Sequence, residues 1–165
     1  MESKPMLVAL INERLYSELF PQHVLEGYQR HFELVHRPYA RSGTEIVEAL
    51  QGAAGCITSW GSPRITGDVL QQCRKLRVIG HAAGSVKAVV DDSVWEHDIV
   101  VVNANHVIAQ YVGEMALLLA LALLRCLPQQ NAVMHQGGWR EEPWSVTDTL
   151  FGKTVGLIGF GATAK

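Results

Sequence analysis

The sequence predicts an α/β fold, a mostly parallel sheet with helices on both faces that runs on into the opening of a second α/β unit. Three observations carry that reading. Short apolar runs alternate with helix-compatible stretches, a long Ala- and Leu-rich segment follows them, and a glycine-rich turn comes directly after the last apolar run.

The runs are, in order, Met6 to Ile11, Leu34 to His36, Gly55 to Thr58, Leu76 to Ile79 and Ile99 to Val102. Each has the length and apolar content of a buried strand, and strands joined through helices pair in parallel because only a crossover links them. Helix starts are marked by side chains able to accept from free first-turn amides. Ser42 and Glu45 form a capping box ahead of Ile46, Val47 and Leu50, and Thr66 and Ser93 stand ready to cap the next two helices. From Val107 to Leu127 the pattern becomes one long helix, ended by Pro128. Its apolar stretch, Met115 to Leu124, is closed by Glu114 and Arg125 and reaches about half of the roughly 20 residues that cross a bilayer, so a buried helix is expected and no membrane partner. The polar segment Gln129 to Thr149, with Gly137, Gly138, Trp139, Pro143 and Trp144, reads as a short helix and a loop, and Lys153 to Ile158 as a strand. No internal repeat is evident.

Composition narrows the function classes. With 48% hydrophobic and 18% charged residues, 165 residues bury a real core. A net charge of -2 gives no basic stripe for phosphate backbones, so nucleic acid is not the expected partner. Three cysteines, Cys56, Cys73 and Cys126, without a C-x-x-C pair suit a reducing compartment, and no basic start leads into an apolar leader; the cytoplasm is the expected location. The seven histidines show no H-E-x-x-H or other tight ligand spacing, and no metal site is expected.

The strongest local motif is the last. Gly159, Gly161 and Ala164 fit G-x-G-x-x-G/A directly after an apolar run, with Phe160 between the glycines. In that context the first glycine permits a tight turn, the second lets backbone approach a pyrophosphate, and the third small residue lets helix pack on strand. The confirming acidic residue, about 20 positions further on, is not within the chain, so a ligand-free glycine turn is the competing reading of the motif alone.

Three segments together resemble the D-2-hydroxyacid dehydrogenases. Leu150-Phe151-Gly152-Lys153-Thr154-Val155-Gly156-Leu157-Ile158-Gly159-Phe160-Gly161 looks like the segment that opens that family's cofactor fold, and Trp139 falls where its members often carry a tryptophan. Asn103-Ala104, followed by Val112-Gly113-Glu114 and Ala116-Leu117, resembles the family's ungapped hinge; Leu76-Arg77-Val78-Ile79 and then Ala82-Ala83-Gly84-Ser85 make a third, weaker match. The matches come in family order and cover nearly the whole chain.

The resemblance implies a flavodoxin-like substrate domain over residues 1–102, then a hinge helix and the truncated beginning of an NAD-binding Rossmann domain over 103–165. It implies hydride transfer between NAD, with NADP not excluded, and a small 2-hydroxy or 2-oxo acid, in a homodimer held partly by the long helix. Backbone amides of Ala83, Gly84 and Ser85 then bind the acid's carboxylate, although Val86 and Lys87 follow where the family usually has an acidic residue. The competing reading of Gly84 is a left-handed turn. Trp60, in Ser59-Trp60-Gly61-Ser62, rims the same cleft or packs as core at a loop; as a rim residue it favours an unphosphorylated acid with an apolar tail, because family members acting on phosphorylated acids often place an arginine near this point. Val112 matches a valine against the nicotinamide, and Ile108 replaces the asparagine of formate dehydrogenases. Gly159, Phe160, Gly161 and Ala164 contact the dinucleotide. The family's catalytic arginine, glutamate and histidine all follow the fingerprint, so Glu114 is read as structural and the chain as an inactive piece of an enzyme. Alternatives are a non-catalytic dinucleotide sensor like the C-terminal-binding-protein corepressors, and a fragment that only binds acids.

Overall fold

Residues that alternate between two greasy faces build the sheet. In a computed structural model, which describes residues 3–139 and 147–165, strands β1 (Met6–Ala9), β2 (Glu33–His36), β3 (Gly55–Thr58), β4 (Val78–His81) and β5 (Val100–Asn103) form one parallel sheet in the order β2-β1-β3-β4-β5. That is the flavodoxin-like order, with its topological switch between β1 and β3. Register places Val35, Val8, Cys56, Ile79 and Val101 on one row. They pack with Ile46 and Leu50 of helix α3 (Gly43–Leu50) and Val69 and Leu70 of α4 (Gly67–Gln72). On the opposite face Leu34, Leu7, Ala9 and Ile57 pack under α1 (Glu13–Leu19) and α2 (Gln22–His31) through Leu15, Phe20, Val24 and Tyr28. That second cluster stops at β3, because the next row offers Gly80 and then an exposed Val102.

Local signals explain the helix starts, with two corrections. The Ser42–Glu45 capping box forms in full. Thr66 occupies the N-cap of α4 without a side-chain bond, and the cap ahead of the 3-10 turn Asp92–Glu96 is Asp91 rather than Ser93: its carboxylate accepts from the Ser93 amide. The Ser93 hydroxyl, aided by the Ser93 amide, holds the Asp91 carboxyl below its usual range, and the amides of Ser42 and Arg41 do the same for Glu45. Strand β4 runs two residues later than the sequence pattern indicates, because Leu76 closes a turn onto the Cys73 carbonyl while His81 pairs with Thr58 and Asn103.

By contact density the chain splits into Met1–Asn105 and His106–Lys165. In the second unit the expected single helix is two, α5 (Asn105–Leu124) and α6 (Leu127–His135). Pro128 starts the second helix: its ring would collide with the carbonyl of residue 124 in a continuous helix, and the turn between them passes through Cys126 at φ 51°. Helix α5 is not buried within the chain, contrary to expectation. Tyr111, Met115, Leu118 and Leu123 are exposed, the last at 73%, and at 20 residues with a mean hydropathy of 2.0 the helix is long and apolar enough to cross a membrane. The expected strand over 153–158 does not form. A strand exists only through its ladder, and no described segment of this unit offers one. Pro143 and Trp144 lie outside the described residues.

Candidate functional site

Three loops at the carboxyl ends of the strands are tied to one another by hydrogen bonds. The Leu10 amide donates to the Ile57 carbonyl (2.8 Å) and the Leu10 carbonyl accepts from the Ser62 hydroxyl (2.5 Å), which joins the exits of β1 and β3 across the switch point. Ser62 also accepts from the Ser59 amide (2.8 Å), and the Ser59 hydroxyl donates to the Ala82 carbonyl (3.2 Å), joining β3 to β4. On the far side the Ala104 amide donates to the Ala83 carbonyl (3.0 Å), so the turn after β4 is gripped from both neighbours. Arg41 reaches over from beyond β2, donating to the Gly61 carbonyl (3.0 Å). The crevice outside a doubly wound sheet's carboxyl edge is therefore rigidly framed here.

Within that frame the Ala83–Ser85 turn has its carbonyl satisfied and its amides free. Among the described residues, the Ala83, Gly84 and Ser85 amides donate to no protein group. Ala83 is wholly buried and Gly84 half-buried, so their amides are donors that burial normally forces to find partners, while Ser85 is exposed. The left-handed reading of Gly84 is overturned, since its φ is not positive. A Cβ there would meet only Asn105 Oδ1, at an ordinary 3.6 Å. Gly84 leaves open space over amide donors; it does not relieve the backbone.

Beneath the turn lies a pair that sequence reasoning passed over. Thr58 Oγ1 is 3.0 Å from His81 Nδ1, both side chains are buried, and burial pushes the His81 imidazole below its ordinary pKa. His81 was visible only as one of seven scattered histidines; its place at the last position of β4 gives it away. At the rim, Trp60 is 57% exposed, so the core-packing alternative fails. Its neighbour Gly61, at φ 74°, makes the turn that pushes the indole outward.

The residues that the sequence assigns to a dinucleotide lie in the second unit. Val112 is 47% exposed on α5, and next to it a Cβ on Gly113 would stand 3.6 Å from the Thr163 carbonyl, which brings α5 beside the fingerprint. Gly159 has φ 92°, so the first glycine makes its tight turn, and no atom lies within 4 Å of a Cβ built on Gly159 or Gly161. Phe160 is exposed, and Ala164 ends a single 3-10 turn, Ala162–Ala164, that stands in place of a helix. Gly159 thus makes the tight turn that the motif predicts, and a 3-10 turn follows it over Ala162–Ala164.

No family model matches the chain. It is 33% identical over 117 residues, 71% of its length, to D-3-phosphoglycerate dehydrogenase of Methanocaldococcus jannaschii, covering 22% of that protein. Among solved structures, it superposes with TM-score 0.72 and 25% identity on the NADPH-dependent glyoxylate/hydroxypyruvate reductase of Sinorhizobium meliloti, covering 99% of this chain and 48% of that one. A phosphoglycerate oxidoreductase from Rhizobium etli gives TM-score 0.77 at 21% identity, covering 98% and 50%, a likeness of fold. The chain thus spans under a quarter of the curated relative and about half of each structure. Sheet order, the framed carboxyl edge and these relatives agree: the chain belongs to the D-isomer-specific 2-hydroxyacid dehydrogenase family.

Proposed function

We propose that the Met1–Asn105 unit is the acid-binding lobe of an NAD(P)-dependent oxidoreductase that moves a hydride between nicotinamide and a small 2-hydroxy or 2-oxo acid, working in the cytoplasm. The free amides of Ala83, Gly84 and Ser85 carry this reading, because a carboxylate accepts from several converging N–H groups and satisfies a turn that the protein leaves unsatisfied. Bound there, the acid is oriented by backbone rather than by a charged side chain, and the neutral His81 beneath leaves the charge balance of the turn to the ligand.

The exposed Trp60 indole adds an apolar wall to the crevice. It favours an acid with an apolar tail over a phosphorylated one, a departure from the substrate in the name of the Methanocaldococcus relative. The nicotinamide cofactor supplies the hydride when bound. Val112 and the Gly159–Ala164 turn would lie against it, with NAD the expected nucleotide and NADP not excluded. The arginine, glutamate and histidine of the chemistry are not among these 165 residues, so the chain by itself is inactive in this reading.

Helix α5 takes part as a subunit interface. Its exposed Leu and Met side chains need a cover, and Gln110 and Glu114 within the helix would be costly in hydrocarbon; a second copy of the chain covers them without that penalty.

The test is an amide-resolved NMR titration of this chain with 2-oxobutyrate, alongside an NADH oxidation assay. The expected result is saturable shifts at Ala83, Gly84 and Ser85 with no turnover. Shifts confined to other segments would refute the carboxylate turn, and turnover would refute the inactivity of the chain. Analytical ultracentrifugation checks the dimer: Leu118→Lys should yield a monomer, and an unchanged dimer overturns the α5 interface.

A further inference from the structure

One side chain stands at the carboxylate turn without a partner of its own. Asn105, the first residue of α5 and the last of the Met1–Asn105 unit, holds its Oδ1 3.6 Å from the place that a Cβ on Gly84 would take. Apart from the residues next to Gly84, no other atom comes within 4 Å of that place. The backbone there is fixed. The Asn105 amide donates to Asn103 Oδ1 (3.0 Å), and the Ala104 amide donates to the carbonyls of Ala83 (3.0 Å) and His81 (3.2 Å), which staples the exit of β5 to the exit of β4. The side chain is left open: among the described residues neither Oδ1 nor Nδ2 of Asn105 makes a hydrogen bond, and the residue is exposed.

An asparagine at a turn or helix start ordinarily spends its side chain on a nearby backbone amide, as Asn103 does here. Asn105 instead keeps its carboxamide beside the Ala83, Gly84 and Ser85 amides, which are also unspent. A carboxamide carries an acceptor at one end and two donors at the other, and its χ2 torsion is soft, so either end can be turned to the same point. A simple carboxylate asks for no more than the backbone amides. A 2-oxo or 2-hydroxy acid brings one further polar atom, the C2 oxygen, on the carbon bonded to the carboxylate, so a group beside Gly84 is within reach of it once the carboxylate lies on the turn. The oxo oxygen only accepts and the hydroxyl can donate; Nδ2 suits the first and Oδ1 the second.

We propose that Asn105 is a specificity-determining residue of this site: its carboxamide recognises the C2 oxygen of the bound acid in both oxidation states and separates 2-oxo and 2-hydroxy acids from carboxylic acids that lack that oxygen. The inference rests on the acid-binding reading of the Ala83–Ser85 turn. It adds to that reading the one side chain of the Met1–Asn105 unit that stands over Gly84. An aspartate in its place has nearly the same shape but no donor for an oxo oxygen, and it sets a negative charge against the carboxylate.

The probes are 2-oxobutyrate, D-2-hydroxybutyrate and butyrate, titrated into the full chain while NMR follows the Ala83–Ser85 backbone amides and the Asn105 side-chain NH2. The two oxygenated acids should bind about threefold or more tighter than butyrate, and they alone should shift the Asn105 NH2 signal. Asn105→Ala should bring the ratio of affinities to about one, and Asn105→Asp should weaken all three acids about threefold or more. Equal binding of the three acids at the turn, an Asn105 NH2 signal that ignores them all, or a preference that survives Asn105→Ala would overturn the role of Asn105 and leave the acid-binding turn standing. No shift at Ala83–Ser85 with any of the acids would overturn the acid-binding reading and this inference with it.

Discussion

The two units of the chain handle the same kind of apolar side chain in opposite ways. Residues up to Asn105 put most of theirs away: Val8, Leu50, Cys56 and Ile79 are fully buried between the sheet and its helices. Beyond His106 the apolar residues are mostly outside, including Val155, Leu157, Ile158 and Phe160 as well as much of α5. A sheet of five strands with helices on both sides makes its own interior, whereas two helices and an unpaired extended segment do not. The first unit therefore holds the determinants of its own stability. The second displays surface whose stability depends on what is brought against it.

The sharpest way to break that contrast is to make the same truncation in both. Leu50→Ala should cost about 2–5 kcal/mol, because it removes side-chain volume from a site with no exposure. Leu123→Ala, at an exposed position of α5, should fall within about 0.5 kcal/mol in the monomeric chain. Urea unfolding followed by far-UV circular dichroism reads both. Equal losses in the monomeric Leu118→Lys chain would mean that α5 packs within its own chain and that the two units are not different in kind.

Which features were legible follows the same division. Strands β1, β2, β3 and β5 and the Ser42 box could be read directly, because burial and capping are local patterns that tertiary packing here reinforces. Ala83, Gly84 and Ser85 could be picked out from their resemblance, but the fact that their amides are free is a property of hydrogen-bond partners, which a sequence does not list. The Thr58–His81 pair and the Arg41 tie to Gly61 join residues 23 and 20 apart, so no window of sequence contains their meaning. In the second unit the apolar run at 153–158 has a strand's pattern, yet pattern is not pairing. Pro128 misled for a related reason: a proline ends one helix and suits the first turn of the next equally well, and only the Cys126 turn tells which.

A smaller effect than the core truncation is expected at the helix start that closes most completely. Ser42→Ala removes the acceptor for the Glu45 amide and should destabilise the first unit by about 1 kcal/mol in urea unfolding. A loss under a few tenths would show that the box adds nothing beyond what packing of Ile46 and Leu50 already fixes.

His81 sharpens the comparison through pH. Burial favours its neutral form in the folded state, so below the ordinary imidazole pKa of about 6.5 the unfolded chain takes up a proton that the folded chain refuses. Stability from this group is present above about pH 6.5 and declines as pH falls toward the lowered folded value. Urea midpoints measured from pH 7.5 down to 5.5 should decrease, and His81→Gln should flatten the slope. An unchanged slope in the variant would assign the pH dependence elsewhere.

The smallest expected effect belongs to Gly159, with Gly55 for comparison, since the two glycines set conformation against packing. A Cβ on Gly55 would fall 2.7 Å from Leu7 Cδ1 and 2.9 Å from Val78 Cγ1, between side chains of the two neighbouring strands, so Gly55→Ala forces one of them to move and should cost about 1–3 kcal/mol. Gly159 has the opposite problem. Its φ of 92° strains any L side chain, yet nothing stands within 4 Å of the new methyl and both flanking residues, Ile158 and Phe160, are exposed. The turn can open without breaking a packed contact, so Gly159→Ala should change the urea midpoint of this chain hardly at all. Were it to cost as much as Gly55→Ala, the fingerprint turn would be held by packing that its surroundings do not show, and the second unit would be as self-contained as the first.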